Sequence, residues 1–444
     1  MKRSIFILLF FIPAIAGAQG YSLQQCMDMA LKNSNELKNS RLDSQIADQT
    51  KKELFTKYFP AVSATGATFR SNEFLVKQNI DLSMLAPLLG ALGLNPAALG
   101  IPLVLPFEMI REGSVGLVSA TQPVFTGGQI YYGNRLAKVG QEVSGLKAAL
   151  TANEIRSRTE EYFWQIVSLK EKVRTIEAGS AQLAEIYKSA DAAVKAGVAT
   201  RNDLLRIELE QQDNESNLIK VENNIKILKL LLCNLTGAPT EGFDVDISGF
   251  PEVKPPFGYY VNTAQGVAAR TENLLLGKGV EAASLQHRLA IGKNMPTVAA
   301  GAGYVYHNLF ENNEDLGMIF ATVSIPISSW WGGSYEIKRS RLEEIKAENN
   351  RLDMQQNMAV DIESKWNNLQ EAFLQTELAK KSIESATENL KITNDYYDAG
   401  TIPLSELLDA QTQLQKSHDQ HTDAITTYYL KLSAYLKATG RQTE

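Results

Sequence analysis

The chain has 444 residues, with 44 Lys and Arg against 50 Asp and Glu, a formal charge of −6, and only two cysteines. So mildly acidic a chain lacks the basic balance that nucleic-acid binding needs, which excludes nucleic acid as an expected partner. No P-loop, G-x-G-x-x-G, G-x-S-x-G or H-E-x-x-H pattern occurs in it, so neither an enzyme nor a bound cofactor is expected.

Lys2 and Arg3, the apolar stretch Ile5 to Ile15 and the small residues Ala16-Gly17-Ala18 read as a signal peptide over residues 1–18. Removing it leaves 42 basic and 50 acidic side chains from Gln19 onward, a balance of −8. An oxidising compartment allows Cys26 and Cys233 to pair; the alternative is two buried free thiols, because spacing does not fix the Cα separation. Leu23-Gln24-Gln25 precedes Cys26, which is no lipid-anchoring context.

From Gln19 the chain states one long pattern twice. Ala196-Gly197 followed by Asp203-Leu204-Leu205 returns as Ala399-Gly400 followed by Glu406-Leu407-Leu408, an offset of 203. Thr236-Gly237 and Thr439-Gly440 keep that offset, as do Pro123 and Pro326, whereas Pro60 and Pro296 are 236 apart. The first copy thus holds 33 extra residues between its prolines. A period this long marks a duplicated module rather than a solenoid. The expected organisation is a first repeat at 19–237, a proline-rich linker at 238–261, and a second repeat at 262–444.

In chain order, the first repeat predicts a helix from Ser22 to Lys57, capped by Ser22 and ended by Tyr58-Phe59-Pro60. A strand follows from Ala61 to about Phe74, and another from Gly113 to Phe125. Between them Leu82 to Pro106 is apolar but interrupted by Pro87, Pro96, Pro102 and Pro106, so residues 79–109 read as an apolar loop. Gly127-Gly128 then turns the chain into a helix reaching Ala196. Leu136, Val139, Val143, Leu146 and Leu150 and, after a phase break, Tyr162, Ile166, Leu169, Val173, Ile176, Leu183, Tyr187, Ala190 and Val194 give it coiled-coil spacing, and from Gln129 to Ala196 its length is roughly 100 Å. Residues 201–236 form the next helix. The short helices together match the long one in length, which predicts two short helices stacked coaxially beside each long one.

The second repeat predicts helices at 262–294, 334–399 and 404–439, with strands from Pro296 to Asn308 and Met318 to Ile327. Strands of about a dozen residues with alternating faces, in an exported chain without membrane helices, suit a transmembrane β-barrel; a soluble four-stranded sheet is the alternative. Tyr58, Phe59, Phe125, Trp330 and Trp331 crowd the strand-to-helix junctions, where an aromatic girdle would sit. Four strands cannot close a barrel, so closure requires two or three chains.

These features together resemble the TolC family of outer-membrane efflux proteins. The resemblance rests on the duplicated order, the Phe59-Pro60 and Met295-Pro296 joints, the Pro-x-x-x-Gly-Gly element at Pro123 to Gly128 with its looser copy Pro326 to Gly333, and the turns at Gly197 and Gly400. It implies a mainly α fold with a β-barrel portion: a homotrimer whose chains each give four strands to a 12-stranded barrel in the outer membrane, above a coiled-coil α-barrel of roughly 100 Å in the periplasm. It also implies a periplasmic adaptor, an inner-membrane pump and outer-membrane lipid as partners.

The resemblance further implies a periplasmic gate. Glu406 and Asp409 follow Gly400 and share a helix face, so three copies would ring the pore with carboxylates; an ordinary solvated face is the alternative. Tyr397 and Asp203 match gate-holding positions. Ile402 stands where the family pattern has arginine, which leaves fewer polar links, or different ones. His418 and His421, beside Asp419 and Asp423, are read as a solvated face rather than a metal site. The expected function is a passive exit duct for small molecules; the outlet of a type I protein secretion system is a second reading, and a soluble periplasmic coiled-coil scaffold a rival of another class.

Overall fold

The computed structural model describes residues 19–93, 102, 104–246, 250–309, 313–327 and 329–441; the expected signal peptide, 1–18, lies outside them. The first repeat gives β1 (Gln19–Tyr21), α1 (Leu23–Asn33), α2 (Asn35–Phe55), β2 (Ala61–Arg70), β3 (Val76–Asp81), α3 (Ala86–Ala91), β4 (Val104–Met109), β5 (Glu112–Phe125), α4 (Gln129–Lys195) and α5 (Arg201–Thr236). After β6 (Phe243–Val245), the second gives α6 (Thr263–Ala269), α7 (Thr271–Lys293), β7 (Thr297–Asn308), β8 (Glu314–Ser324), α8 (Ser329–Asp398) and α9 (Leu404–Ala438). The chain is mostly helical, and α4 and α8 run for 67 and 70 residues. Among the described residues no helix is long and apolar enough to cross a membrane.

Contacts divide the chain into two compact units, each built from both repeats. One comprises Met1–Ala47, Gln141–Val280 and Lys346–Glu444; the other comprises Asp48–Gly140 and Glu281–Ile345.

The first unit is helical. Ile166, Ile176, Leu183 and Ala190 are buried at the spacing the sequence predicts, so α4 turns one face to its neighbours. The linker widens that face: Phe243 and Val245 join Cys26, Phe163, Trp164, Val167, Leu232 and Cys233 in one core cluster, while β6 pairs in parallel with β1. Farther along the linker, Tyr429 Oη donates to Pro251 O at 3.0 Å, and Val261 N donates to Tyr435 Oη at 3.0 Å. Four glycines in left-handed conformation, Gly197, Gly237, Gly400 and Gly440, end the four helices α4, α5, α8 and α9.

Two expected helices are each broken in two. The predicted helix from Ser22 to Lys57 stops at Ser34, whose ψ of 121° is not helical, and the predicted 262–294 helix stops at Arg270, with ψ of 132°. The two breaks are 236 residues apart, like Pro60 and Pro296, so they are equivalent positions of the duplication. Neighbouring helix ends explain them. Asn33 Nδ2 donates to Thr236 O, and a Cβ on Gly237 would stand 3.0 Å from Asn33 Cβ; a Cβ on Gly440 would stand 2.8 Å from Ala269 O. The end of α5 thus abuts the α1–α2 break, and α1 lies beside α5 rather than extending it coaxially.

The second unit carries an antiparallel sheet in the order β2-β5-β7-β8. Its registers run from Ala61↔Thr121 to Arg70↔Glu112, from Ser114↔Asn308 to Pro123↔Ala299, and from Thr297↔Ser324 to His307↔Glu314. The β5–β7 pairing joins the strands of the two repeats. The 79–109 segment is not simply a loop: β3 and β4 pair antiparallel from Val76↔Met109 to Asp81↔Val104, and its residues 94–101 and 103 lie outside the described residues. Below the sheet, Gly127 (φ 63°) packs on Gly292, and a Cβ on Gly292 would stand 2.5 Å from Gly127 O. The Pro123 to Gly128 element of the first repeat and the Met295-Pro296 joint of the second therefore meet at one point.

Candidate functional site

The turns after α4 and α8 differ in how the next helix is started. Thr200 opens α5 with a reciprocal cap: Asp203 N donates to Thr200 Oγ1 at 3.3 Å, and Thr200 N donates to Asp203 Oδ2 at 3.0 Å. Pro403 opens α9 with no side-chain cap, and Thr401 instead turns back on α8, its N and Oγ1 donating to Tyr396 O at 3.0 and 2.8 Å. Asp203 is thus engaged in its own helix start.

Behind the turns Leu183, Ala190, Ile207, Leu404, Leu407 and Leu408 form a buried cluster, with Tyr187 and Tyr397 packed against it. Burial, and then the negative charges of Asp203 and Asp398, push the Tyr397 hydroxyl above its usual range. Tyr397 and Asp203 are therefore neighbours electrostatically, and no hydrogen bond joins them among the described residues. Helical periodicity gives the acids the opposite face. With Leu404, Leu407, Leu408 and Gln411 buried, Glu406 and Asp409 are exposed one turn apart, and no ion pair engages either among the described residues. Two carboxylates so placed can attract cations without any partner to neutralise them.

The sequence reading missed a set of polar contacts along α9. Gln411 Nε2 donates to Gln182 Oε1 on α4, and Gln415 Nε2 donates to Asn214 Oδ1 on α5 at 3.4 Å. Such amides resemble ordinary coiled-coil surface positions in sequence; only the packing turns them inward. Nearby Lys172 Nζ takes Asp423 at 2.8 Å, and burial raises the Asp419 carboxyl. Among the described residues no group of three or more His, Cys, Asp or Glu could hold a metal.

The junction aromatics are all exposed, from Tyr58 and Phe59 beside β2, through Phe125 at the end of β5, to Trp330 and Trp331 at the start of α8. Trp330 Nε1 donates to Asn294 O at 3.1 Å, holding one indole at the joint. The two cysteines are buried free thiols in this structure, so the bridge their compartment allows is not formed here. Burial, and then the neighbouring Cys233, push the Cys26 thiol up to about 12.

This arrangement, long antiparallel helices with a four-stranded sheet open at both edges, is the fold of the outer-membrane channels. VceC from Vibrio cholerae superposes with a TM-score of 0.75 at 13% identity, covering 95% of this chain and 97% of its own. CmeC from Campylobacter jejuni gives 0.74 at 15% identity over 95% and 87%. The open-state MtrE channel of Neisseria gonorrhoeae gives 0.72 at 14% over 97% and 93%. No curated protein matches the sequence. Residues 278–441, within the second repeat, match the family model of the outer membrane efflux proteins.

Proposed function

We propose that three copies of this chain close into an outer-membrane duct, through which small molecules delivered by an inner-membrane pump and a periplasmic adaptor leave the cell. One observation carries the proposal: both β2 and β8 are open edges of an otherwise paired sheet. With four antiparallel strands the two edges run in opposite directions, so β8 of one copy can pair antiparallel with β2 of the next. Such a head-to-tail contact closes as a ring. Strands of 10, 14, 12 and 11 residues are long enough to cross a bilayer. Exposed Ile319 and Val323 on β8 would meet lipid, with the junction aromatics at its periplasmic boundary.

In this reading the helices extend into the periplasm, the linker girdles them, and Glu406, Asp409, Tyr397 and Asp203 line the far end near Gly197 and Gly400. The expected result is a trimeric mass in detergent from the outer-membrane fraction. A folded monomer in that fraction, or recovery in the soluble periplasm, defeats the proposal.

The pairing of Cys26 with Cys233 belongs to the same exported state. Exchange with a disulfide oxidant would occur while the chain folds, before burial suppresses the thiolates. Two protons and two electrons leave the thiols, and the oxidant's disulfide becomes two thiols. Mass mapping of unreduced peptides should recover residues 26 and 233 linked; two free thiols in exported protein defeat it.

A further inference from the structure

The two faces of the sheet differ in kind. Side chains alternate across a strand, and the registers fix which residues of the four strands share a face. One face carries Val62, Val118, Ala300, Ala302, Ile319 and Val323, an apolar band that suits lipid. The other carries the hydroxyls of Ser63, Thr65, Ser119, Thr121 and Thr322, with Ser63 Oγ and Ser119 Oγ 3.1 Å apart. From Ala300 to Asn308 in β7 the residues on the hydroxyl face are half-buried and those on the apolar face exposed, the crowding expected on the inside of a curved sheet. In a closed barrel the hydroxyl face is the lumenal one.

That face is not polar throughout. Leu117, Val305 and Leu316 stand side by side in one row across β5, β7 and β8, and Met318 and Phe320 follow along β8. Glycine makes the group flat. At Gly303 the place of a Cβ lies 3.5 Å from Met318 Cγ and 3.8 Å from Leu117 Cδ1, and Phe320 lies across Gly301. Side chains of both neighbouring strands thus lie down over β7, which has no side chain at these two positions to lift them. Leu117, Met318 and Leu316 are still 38, 41 and 56% exposed, an apolar patch where a water-filled passage gains nothing from one. We infer that this shelf binds the apolar part of uncharged or amphiphilic small molecules in transit, so that the barrel wall itself discriminates among cargoes; the inference rests on the three-copy duct proposed above.

Charge and access decide the occupant. No ionisable side chain lies on this face between the helix joints and the shelf; the first, His307 and Glu314, stand one row farther out. An ion would lose hydration there and find no opposite charge in return. Ser63 and Ser119 share a row with Met318, and Thr65 shares one with Leu117, so a molecule lying on the shelf has hydroxyls within reach of a polar edge. The same hydroxyls oppose lipid as the occupant, since the other face is the one that is apolar across its width. Closure excludes a macromolecular partner, because only what travels the duct or enters its mouth reaches the inside of the ring. Partial exposure also keeps the contact weak, as transit requires: a molecule must enter such a site and leave it. Threefold repetition places three shelves around one passage, so a molecule released from one meets the next.

The experiment is block of the assembled protein in planar bilayers by two cations of equal charge, tetraphenylphosphonium and tetraethylammonium, so that any acidic ring acts on both alike. Tetraphenylphosphonium should block the parent about tenfold more strongly, and Leu117→Ser combined with Met318→Ser should remove that difference, since about 55 Å² of lost apolar contact is a tenfold change. Met318→Gln keeps the length of the side chain while adding polarity, and it should shift the block in the same direction even where the double variant does not assemble. Met318→Cys should react with a sulfonated methanethiosulfonate from the aqueous side, and Ile319→Cys should not; the native Cys26 and Cys233 are buried and contribute little. Equal block of the parent by the two cations, or a preference that survives the polar variants, overturns the inference while leaving the duct intact, as does a Met318→Cys channel that the reagent does not reach. A monomeric mass for the parent protein overturns the duct itself, and the inference with it.

Discussion

A methyl group added at Gly127 lowers the stability of the assembled protein by at least about 3 kcal/mol, combining left-handed strain with overlap in a filled site. Gly127, the first glycine of the Pro123 to Gly128 element, lies at φ 63°, which an L side chain adopts at a cost. Its missing Cβ is also the space that Gly292 O occupies, and the same Cβ would stand 2.9 Å from Met295 Cβ. Gly292 O is backbone and Met295 Cβ is fixed directly to it, so neither can swing aside. Because α4 and α7 are bound at this joint, with Gln129 Nε2 donating to Gly292 O at 3.4 Å, separating the glycines moves whole helices relative to the strands they continue. Gly140→Ala is the control. That glycine lies in α4 with open space about it, and alanine there should raise stability by about 0.5–1 kcal/mol through helix propensity. Thermal unfolding followed by circular dichroism reads both variants, and a Gly127→Ala midpoint equal to the parent's would show that the joint is slack.

The joint shows what the sequence makes legible. Glycine and proline are read wherever the backbone has no substitute for them, so the turns at Gly197 and Gly400 and the joints at Gly127 and Pro296 stood out, and the duplication lent each a second witness. Long helices are legible for another reason: coiled-coil spacing recurs along α4 on both sides of one phase break, and no local accident imitates it. The breaks at Ser34 and Arg270 were not read, since neither carries a proline or a glycine. Their cause is tertiary, the end of α5 or α9 arriving at Asn33 or Ala269. The β3–β4 hairpin was hidden by the opposite error. Its prolines read as breakers in sequence, yet Pro106 lies within β4 opposite Asn79, a place open to proline where a strand has a free edge.

The candidate site divides in the same way. Which face of α9 the acids take follows from Leu404, Leu407 and Leu408, and periodicity alone gives that. The partners of Asp203 do not follow, because a capping box with Thr200 and a link to a neighbouring helix use the same carboxylate. The uncapped start of α9 at Pro403 marks the second turn as the less tightly bonded of the two. If one of these turns moves, it is the one that carries the exposed acids.

Replacing Glu406 and Asp409 together with alanine should therefore alter what passes, and leave what holds the molecule together. Both side chains are exposed, no ion pair engages either among the described residues, and neither touches the buried cluster at the tip. Their loss should change the thermal midpoint little, as exposed charges contribute little to folding. In the proposed trimer the pair becomes six carboxylates around one constriction. A cation near several of them gains on the order of 1 kcal/mol from each in water and more where solvent is restricted, so removing all six should weaken block by multivalent cations by about tenfold or more. The same change should bring the preference for cations over anions toward unity in planar bilayers. Single replacements should fall between, since each leaves three charges in the ring. Raised salt should shrink the difference between parent and variant, because screening shortens the reach of every exposed charge. A double variant that assembles as the parent does yet keeps its cation selectivity and its block would show that Glu406 and Asp409 lie on an outer face of α9, and that the constriction is lined by other residues.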